Sequence, residues 1–202
     1  IGPRRFKDLQ TGLPGIPTTV LTKRLRELEE VGAVERRPAP SPARGVLYAL
    51  TPYGTDLTPI LDALGRWGAR HMDTPRPTDV VTNTSLAAAL HAAYQPGVLK
   101  AMTTFLIHSG PATAWATADG DEVTVGAGQP ATAPDLRITA GPEMRALLAG
   151  ALAPGEALAS GVVTIEGDRT HLENFTHAFH VPLDVPLIPR PITGAAEKEA
   201  LT

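Results

Sequence analysis

The chain has 202 residues, no cysteine and a formal net charge of −3. That length suits one large or two small domains, and the lack of thiols excludes a disulfide framework, a thiolate metal site and a thiol redox switch. No apolar run reaches the roughly eighteen residues of a membrane span, and no secretory signal opens the sequence. A soluble, cytoplasmic chain with no membrane partner is therefore expected.

The charge is unevenly spread. Residues 1–72 carry eleven Lys/Arg against seven Asp/Glu, a balance of +4, whereas residues 73–202 carry seven against fourteen, −7. Different partners are implied for the two parts, and a polyanion belongs to the first.

Arg4 to Leu13 predicts a short helix with Phe6, Leu9 and Leu13 inward, and Pro14-Gly15-Ile16 a turn. Pro17 to Glu30 predicts a second helix, since proline suits a first turn where its missing N–H has no partner to lose. At 100° per residue Val20, Leu21, Leu25, Leu28 and Val31 form one apolar stripe. Thr19, Thr22, Lys23 and Arg26 lie opposite, with Thr18 on the flank. Hydroxyls and cations on one helical face have the chemistry for base edges and phosphates of a major groove; an ordinary solvated face is the plainer alternative. Two short helices joined by a glycine-containing turn make a helix-turn-helix, and Gly32 is the stop signal.

Two β-like runs, Ala33 to Arg37 and Val46 to Thr51, flank the loop P-A-P-S-P-A-R-G, too rich in proline to be a strand. Helix, helix, strand, loop, strand is the order of a winged helix. Arg36, Arg37 and Arg44 then surround the wing, where each neutralised phosphate adds affinity through counterion release. Thr51-Pro52 opens a helix to about His71, which Pro59 kinks or truly begins. Leu57, Ile60, Leu61, Leu64 and Trp67 or Gly68 give it a buried or dimerising face.

The segments G-P-R-R-F-K-D-L, L-P-G-I, V-L-T-K-R-L-R-E-L-E-E-V-G-A-V-E-R-R, V-L-Y-A-L-T-P-Y-G and L-D-A-L-G-R-W-G resemble the HxlR-type winged-helix transcriptional regulators over about residues 2–71. The resemblance implies a homodimer on double-stranded DNA, with the Pro17 helix in the major groove and the hairpin as wing. Family members normally carry further N-terminal dimerisation helices, so this sequence is expected to be N-terminally truncated. The cysteine that some members use for sensing is absent here, and that mechanism is not implied.

Asp73 to Thr84 is polar with two prolines and reads as a linker. Beyond it, Ser85 is expected to cap a helix to Tyr94. Strands are predicted at 102–107, 113–118, 122–126, 135–139 and 162–165, with Asp119-Gly120 as a hairpin signal. Helices are predicted at 143–152, 155–160 and from an Asp168 cap to about Phe179. A meander followed by helices and one more strand is an α+β layer with one sheet face covered. The stretches A-P-D-L-R-I-T-A-G-P-E-M-R-A-L-L-A-G, A-S-G-V-V-T-I-E-G-D and L-E-N-F-T-H-A-F-H-V-P resemble the sterol-carrier-protein-type (SCP2-like) lipid-binding domain over about 85–183. That implies a five-stranded sheet with helices on one face, an apolar tunnel for acyl or sterol-like ligands, and no catalytic residue.

Phe105, Trp115, Phe175 and Phe179 are core candidates that could also line such a pocket. Trp115, between Ala114 and Ala116, has small neighbours that leave room beside it. Of His171, Glu173, His177 and His180, only His177 and His180 share a helical face, so no metal site is expected. Ser85, Ser109 and Ser160 sit in no G-x-S-x-G elbow, and Gly126-Ala127-Gly128 leads into Gln129-Pro130 and not a helix. No catalytic residue or cofactor is expected.

The fold class expected is α+β: an N-terminal winged helix-turn-helix domain at 1–72, a linker at 73–84, a helix-covered five-stranded domain at 85–183 and a tail at 184–202. The functional expectation is a one-component bacterial regulator binding duplex DNA as a dimer and sensing an apolar small molecule. The alternative is a lipid carrier whose winged helix docks proteins.

Overall fold

The computed structural model describes residues 2–70 and 79–182; the predicted tail at 184–202 and most of the predicted linker lie outside these. α1 (Phe6–Gly12) turns through Leu13–Ile16 into α2 (Thr18–Glu30). Pro17 is the cap of α2 rather than its first residue, and its carbonyl accepts from the Val20 and Leu21 amides at 3.0 Å. The far end closes in a Schellman motif: Gly32 N–H donates to Glu29 and Ala33 N–H to Leu28, with Gly32 at φ +73°. Glycine takes that left-handed position without the penalty a Cβ would bring.

The apolar stripe of α2 is only partly covered. Leu21 and Leu25 are buried, whereas Val20 and Leu28 are exposed and Val31 more so. α1 likewise holds no fully buried residue: Phe6 and Leu9 are half-buried and Leu13 faces out. The reason is the thinness of this part, where β1 (Val34–Pro38) and β2 (Val46–Leu50) form a two-stranded antiparallel ladder. Among the described residues only Ala33 and Ala49 join the two leucines in its buried apolar set.

The predicted helix after Thr51 is two helices. α3 (Pro52–Thr55) is capped by the Thr51 hydroxyl, and α4 (Thr58–Arg70) carries Pro59 in its first turn. Pro59 thus marks a start and not a kink.

α5 (Asn83–Ala93) begins inside the predicted linker, because Thr82, not Ser85, is its cap. Ser85 is the reciprocal partner of that cap, its hydroxyl taking the Thr82 amide at 2.9 Å while Thr82 takes the Ser85 amide at 3.1 Å. A five-stranded mixed sheet follows: β3 (Thr103–Ser109), β4 (Ala112–Asp119), β5 (Glu122–Ala127), β6 (Leu136–Ala140) and β7 (Val163–Gly167), in spatial order β5-β4-β3-β6-β7. The first three strands form a meander as predicted, but the fourth does not continue it: β6 crosses to lie parallel to β3. Asp135 pins the crossing with its carboxylate on the Thr104 amide at 2.7 Å and its own amide on the Thr104 carbonyl at 2.8 Å. The β4–β5 turn centres on Gly120-Asp121, one residue beyond the predicted pair, since Asp119 still pairs with Glu122.

α6 (Glu143–Leu148), α7 (Pro154–Ala159) and α8 (Arg169–Ala178) complete the layer. α5 lies over β4 and β5, and α8 over β6 and β7. Beneath them sits the main core, from Leu86 to Phe179, including Phe105, Ile107, Leu136, Ile138 and the alternate alanines of β4. The opposite sheet face carries no helix and is mostly polar: Thr104 and Thr117 share a hydrogen bond of 2.9 Å, His108 meets Thr113 at 3.0 Å, and Arg137 pairs with Glu166 at 2.9 Å, while Leu106, paired across the ladder with Trp115, is fully buried on this side. One covered face and one open face make this an α+β fold.

Candidate nucleic-acid interface

The outer side of α2 is presented to solvent. Thr18, Thr19, Thr22, Lys23 and Arg26 are all exposed, the Lys23 and Arg26 side chains at 76% and 77%. The Thr18 hydroxyl accepts from Gln10 Nε2 at 2.9 Å, tying α2 to α1. Lys23 stands 3.8 Å from Glu27 and Arg26 3.0 Å from Glu30, one turn on. Such exposed pairs are worth about 0.3–0.5 kcal/mol and do not hold either cation away from another partner. Arg24, which the sequence pattern passed over, is also exposed and meets Glu27 at 2.8 Å.

The three wing arginines differ. Arg36 is pinned: it meets Glu29 of α2 at 2.7 Å and lies 5.5 Å over the Tyr48 ring. Arg37 bonds its neighbour Glu35 at 2.7 Å. Arg44 has no side-chain partner among the described residues, while its carbonyl accepts from Arg5 Nη1 at 2.8 Å. Arg5 therefore joins the wing loop from the start of the chain. Arg4 meets strand β2 instead, exchanging two backbone hydrogen bonds with Tyr48 at 2.9 and 2.8 Å. No local spacing signals these tertiary contacts.

The joint beneath the wing explains the L-T-P-Y-G run. The Thr51 hydroxyl donates to the Gly32 carbonyl at 2.6 Å and accepts from the Gly54 amide at 3.1 Å. Gly54 is buried against the Ala33 carbonyl so closely that a Cβ would overlap it. One threonine and one glycine thereby fasten the end of β2 to the end of α2. This fixes how far the wing stands from the exposed face.

α4 carries its predicted stripe outward. Leu57, Ile60, Leu61, Leu64 and Trp67 are all exposed. Its other side meets α5: Arg66 Nη1 donates to the Ala92 carbonyl at 3.0 Å, and Asp62 pairs with His91 Nδ1 at 2.9 Å.

The four aromatic ligand candidates do not form one group. Phe105, Phe175 and Phe179 pack as a fully buried cluster with ring centroids 4.8–5.7 Å apart. Trp115 lies on the opposite, open sheet face with its ring across Gly126. The small residues beside it do not leave a void. Ala112, Ala114, Ala116 and Ala118 point to the covered side and let α5, with Ala87 and Ala93, approach closely. Among the described residues no group of three His, Asp or Glu is placed to hold a metal ion, and no helix is long and apolar enough to cross a membrane. His171 Nδ1 is buried without a partner.

Residues 1–76 match the family model for the HxlR-like helix-turn-helix. The HTH-type transcriptional regulator YvaP of Bacillus subtilis is 36% identical over 72 residues, covering 36% of this chain and 67% of that protein. This chain belongs to the HxlR-like helix-turn-helix family. A solved HTH-type regulator, ytcD, shares 40% identity over 35% of this HxlR-like chain and 71% of its own, with a TM-score of 0.32. The chain spans about half to two thirds of the length of the curated relatives it matches. Sterol carrier protein 2 of Yarrowia lipolytica, in its apo form, is a structural neighbour at 16% identity and a TM-score of 0.32, covering 59% of this chain and 90% of that one. So loose a match carries no argument about ligands.

Proposed function

We propose that this HxlR-like protein is a one-component transcriptional regulator that binds double-stranded DNA as a homodimer. The observation that carries the reading is the outward cluster of Thr18, Thr19, Thr22, Lys23 and Arg26 on α2, uncovered by any described residue and flanked by the wing with Arg44. Hydroxyls serve base edges and phosphates, and the cations serve phosphates or guanine. Arg36 and Arg37 add positive potential at the wing base while already holding Glu29 and Glu35.

The exposed stripe of α4 supports the two-fold pairing. Ile60, Leu61, Leu64 and Trp67 on α4, with Leu57 just ahead of it, form an unusually apolar surface patch, of the kind that association covers. Replacing Leu61 and Leu64 with Asp is expected to yield monomers in sedimentation velocity; an unchanged dimer would remove α4 from the interface.

The second half is proposed to receive an apolar, acyl- or sterol-like effector between sheet and helices, the rings of Phe105, Phe175 and Phe179 parting to admit it. Trp115, on the open face, is not part of that pocket. The α4–α5 contacts support coupling, because a shift of α5 moves the helix proposed to pair the protomers. B-DNA half-sites lie about 34–36 Å apart, so a small rotation of paired recognition helices changes affinity. Native mass spectrometry of the full-length protein tests oligomer and effector together: a dimer with a co-purified hydrophobic molecule is expected. In a gel shift at physiological salt, Lys23→Ala with Arg26→Ala is expected to abolish the operator shift without unfolding the chain, leaving weaker binding at low salt; unchanged binding would overturn the assignment.

A further inference from the structure

α1 buries none of its residues fully, so it adds little to the core of the winged part, and its polar contacts point to another use. Just ahead of it the Arg4 backbone pairs with Tyr48 of β2, and Arg5 Nη1 donates to the Arg44 carbonyl in the wing loop at 2.8 Å. At its last residue, Gly12 stands so near α5 that a Cβ there would lie 2.9 Å from the Thr84 hydroxyl. Both ends of α1 are therefore tied to other elements. From between them Gln10, partly buried, reaches across to α2, where its Nε2 donates to the Thr18 hydroxyl at 2.9 Å. Among the described residues this is the one side-chain hydrogen bond that joins α1 to α2.

What the bond does to Thr18 follows from hydroxyl chemistry. A threonine hydroxyl has one proton to donate and two lone pairs with which to accept. In a helix threonine divides between two χ1 rotamers, because its oxygen can turn back to a carbonyl one turn earlier. The Gln10 amide occupies one lone pair, holds one rotamer and leaves the proton free. Thr18 is exposed at the start of α2, so that proton is open to an acceptor outside the chain. Phosphate oxygens only accept, and a hydroxyl serves them only as a donor.

We propose that Gln10 is a positioning residue for duplex binding: its amide presents the Thr18 hydroxyl as a donor to a backbone phosphate, while Gln10 itself touches no nucleic acid. The inference rests on the reading of α2 as a DNA-contacting helix. It assigns a role to a residue of α1, the helix that also holds the wing loop through Arg5.

The test is fluorescence anisotropy of the full chain on a labelled mixed-sequence duplex of about 30 base pairs, at several salt concentrations. Gln10→Met keeps the length and packing of the side chain but cannot donate. It is expected to weaken binding at least about threefold, with the slope of log K against log salt unchanged, because no cation is removed. Thr18→Val is expected to weaken binding at least as much, and Gln10→Met added to it to cause no further measurable loss. Thr18→Ser, which retains the hydroxyl, keeps the sensitivity to Gln10→Met. Gln10→Glu offers the hydroxyl acceptors only and draws its proton inwards. It is expected to bind more weakly than Gln10→Met, and by a larger factor than in the Thr18→Val background, where charge repulsion alone acts. A bond that served only to hold the helices together would show instead as a lower melting temperature and a shallower salt slope, Lys23 and Arg26 being displaced with α2. That result overturns the proposal, as does unchanged binding by Gln10→Met or an equal loss from it in the Thr18→Val background. If Lys23→Ala with Arg26→Ala weakens binding and Gln10→Met does not, this proposal alone falls; if neither does, the reading of α2 falls with it.

Discussion

Removing Lys23 and Arg26 probes the proposed interface through salt rather than affinity alone. Each neutralised phosphate contributes a slope of about −0.9 in log K against log salt. Two cations on each α2, and two such helices in a dimer, meet four phosphates, so the Lys23→Ala, Arg26→Ala variant is expected to have a slope shallower by about 3.6. Between 50 and 200 mM salt, roughly a fourfold change, the unaltered protein should lose about two more decades of affinity than the variant. Folding should scarcely notice. The lost pairs, Lys23–Glu27 at 3.8 Å and Arg26–Glu30 at 3.0 Å, are exposed i,i+4 contacts of about 0.3–0.5 kcal/mol each, and alanine's helix preference returns part of that. A shift of less than about 3 °C in melting temperature follows for a domain of this size. The assay is fluorescence anisotropy on a labelled duplex of about 30 base pairs at several salt concentrations. A variant with normal melting and an unchanged slope would refute α2 as a phosphate-contacting helix.

Three other perturbations test the structure elsewhere. Gly54→Ala places a methyl on the Ala33 carbonyl, so the joint must open; a loss of at least about 2 kcal/mol in urea unfolding is expected, and full stability would show the approach to be wrong. Phe175→Ala removes one ring from the buried cluster and is expected to cost about 3–5 kcal/mol, whereas Trp115→Ala, only partly buried on the helix-free face, should cost clearly less; equal losses would contradict their placement on opposite faces. The Asp168 carboxylate is held below the usual carboxylate range first by the Thr170 amide and hydroxyl, at 2.8 Å from that amide. A depressed folded-state value gives stability that is present above the ordinary carboxylate pKa and lost as pH falls through the lowered one. Asp168→Asn, which keeps the cap acceptor, should flatten that acid limb in circular dichroism, and an unaltered limb would dismiss Asp168 as its source.

What the sequence disclosed follows from how local its cause was. α2, β1, β2 and α8 end close to where residue chemistry places them, since Gly32, the proline-rich loop and Asp168 act on their own segments. The cap of α5 was misplaced by three residues because Thr82 and Ser85 both carry hydroxyls, and only the fold shows which one precedes the helix. Of the α2 stripe only Leu21 and Leu25 are buried: periodicity says which residues share a face, not how much of the chain is there to cover them. The wing arginines show the same limit. Composition assembled Arg36, Arg37 and Arg44, but only tertiary contact separates the one held by Glu29 and Tyr48 from the one left with no partner, and only that contact brings Arg5 to the loop. Trp115 and the three phenylalanines could not be sorted by residue type either. Strand parity alone would have put Trp115 opposite the alternate alanines of β4, on the open face.

The parallel pairing of β3 with β6 has a consequence for assembly. As the polypeptide leaves the ribosome, β3, β4 and β5 can zip together at once, because each turn is two residues long. β3, destined for the middle of the sheet, then waits with one ladder unsatisfied until the crossing that ends at Asp135 delivers Leu136–Ala140. Thr103 to Ile107 are shielded on both sides in the finished molecule, so the nascent chain bears a naked, mostly apolar rim during that interval. Such rims are templates for pairing with other chains. Expression yield should therefore be governed by how fast the segment 128–140 docks, more than by the stability of the completed sheet.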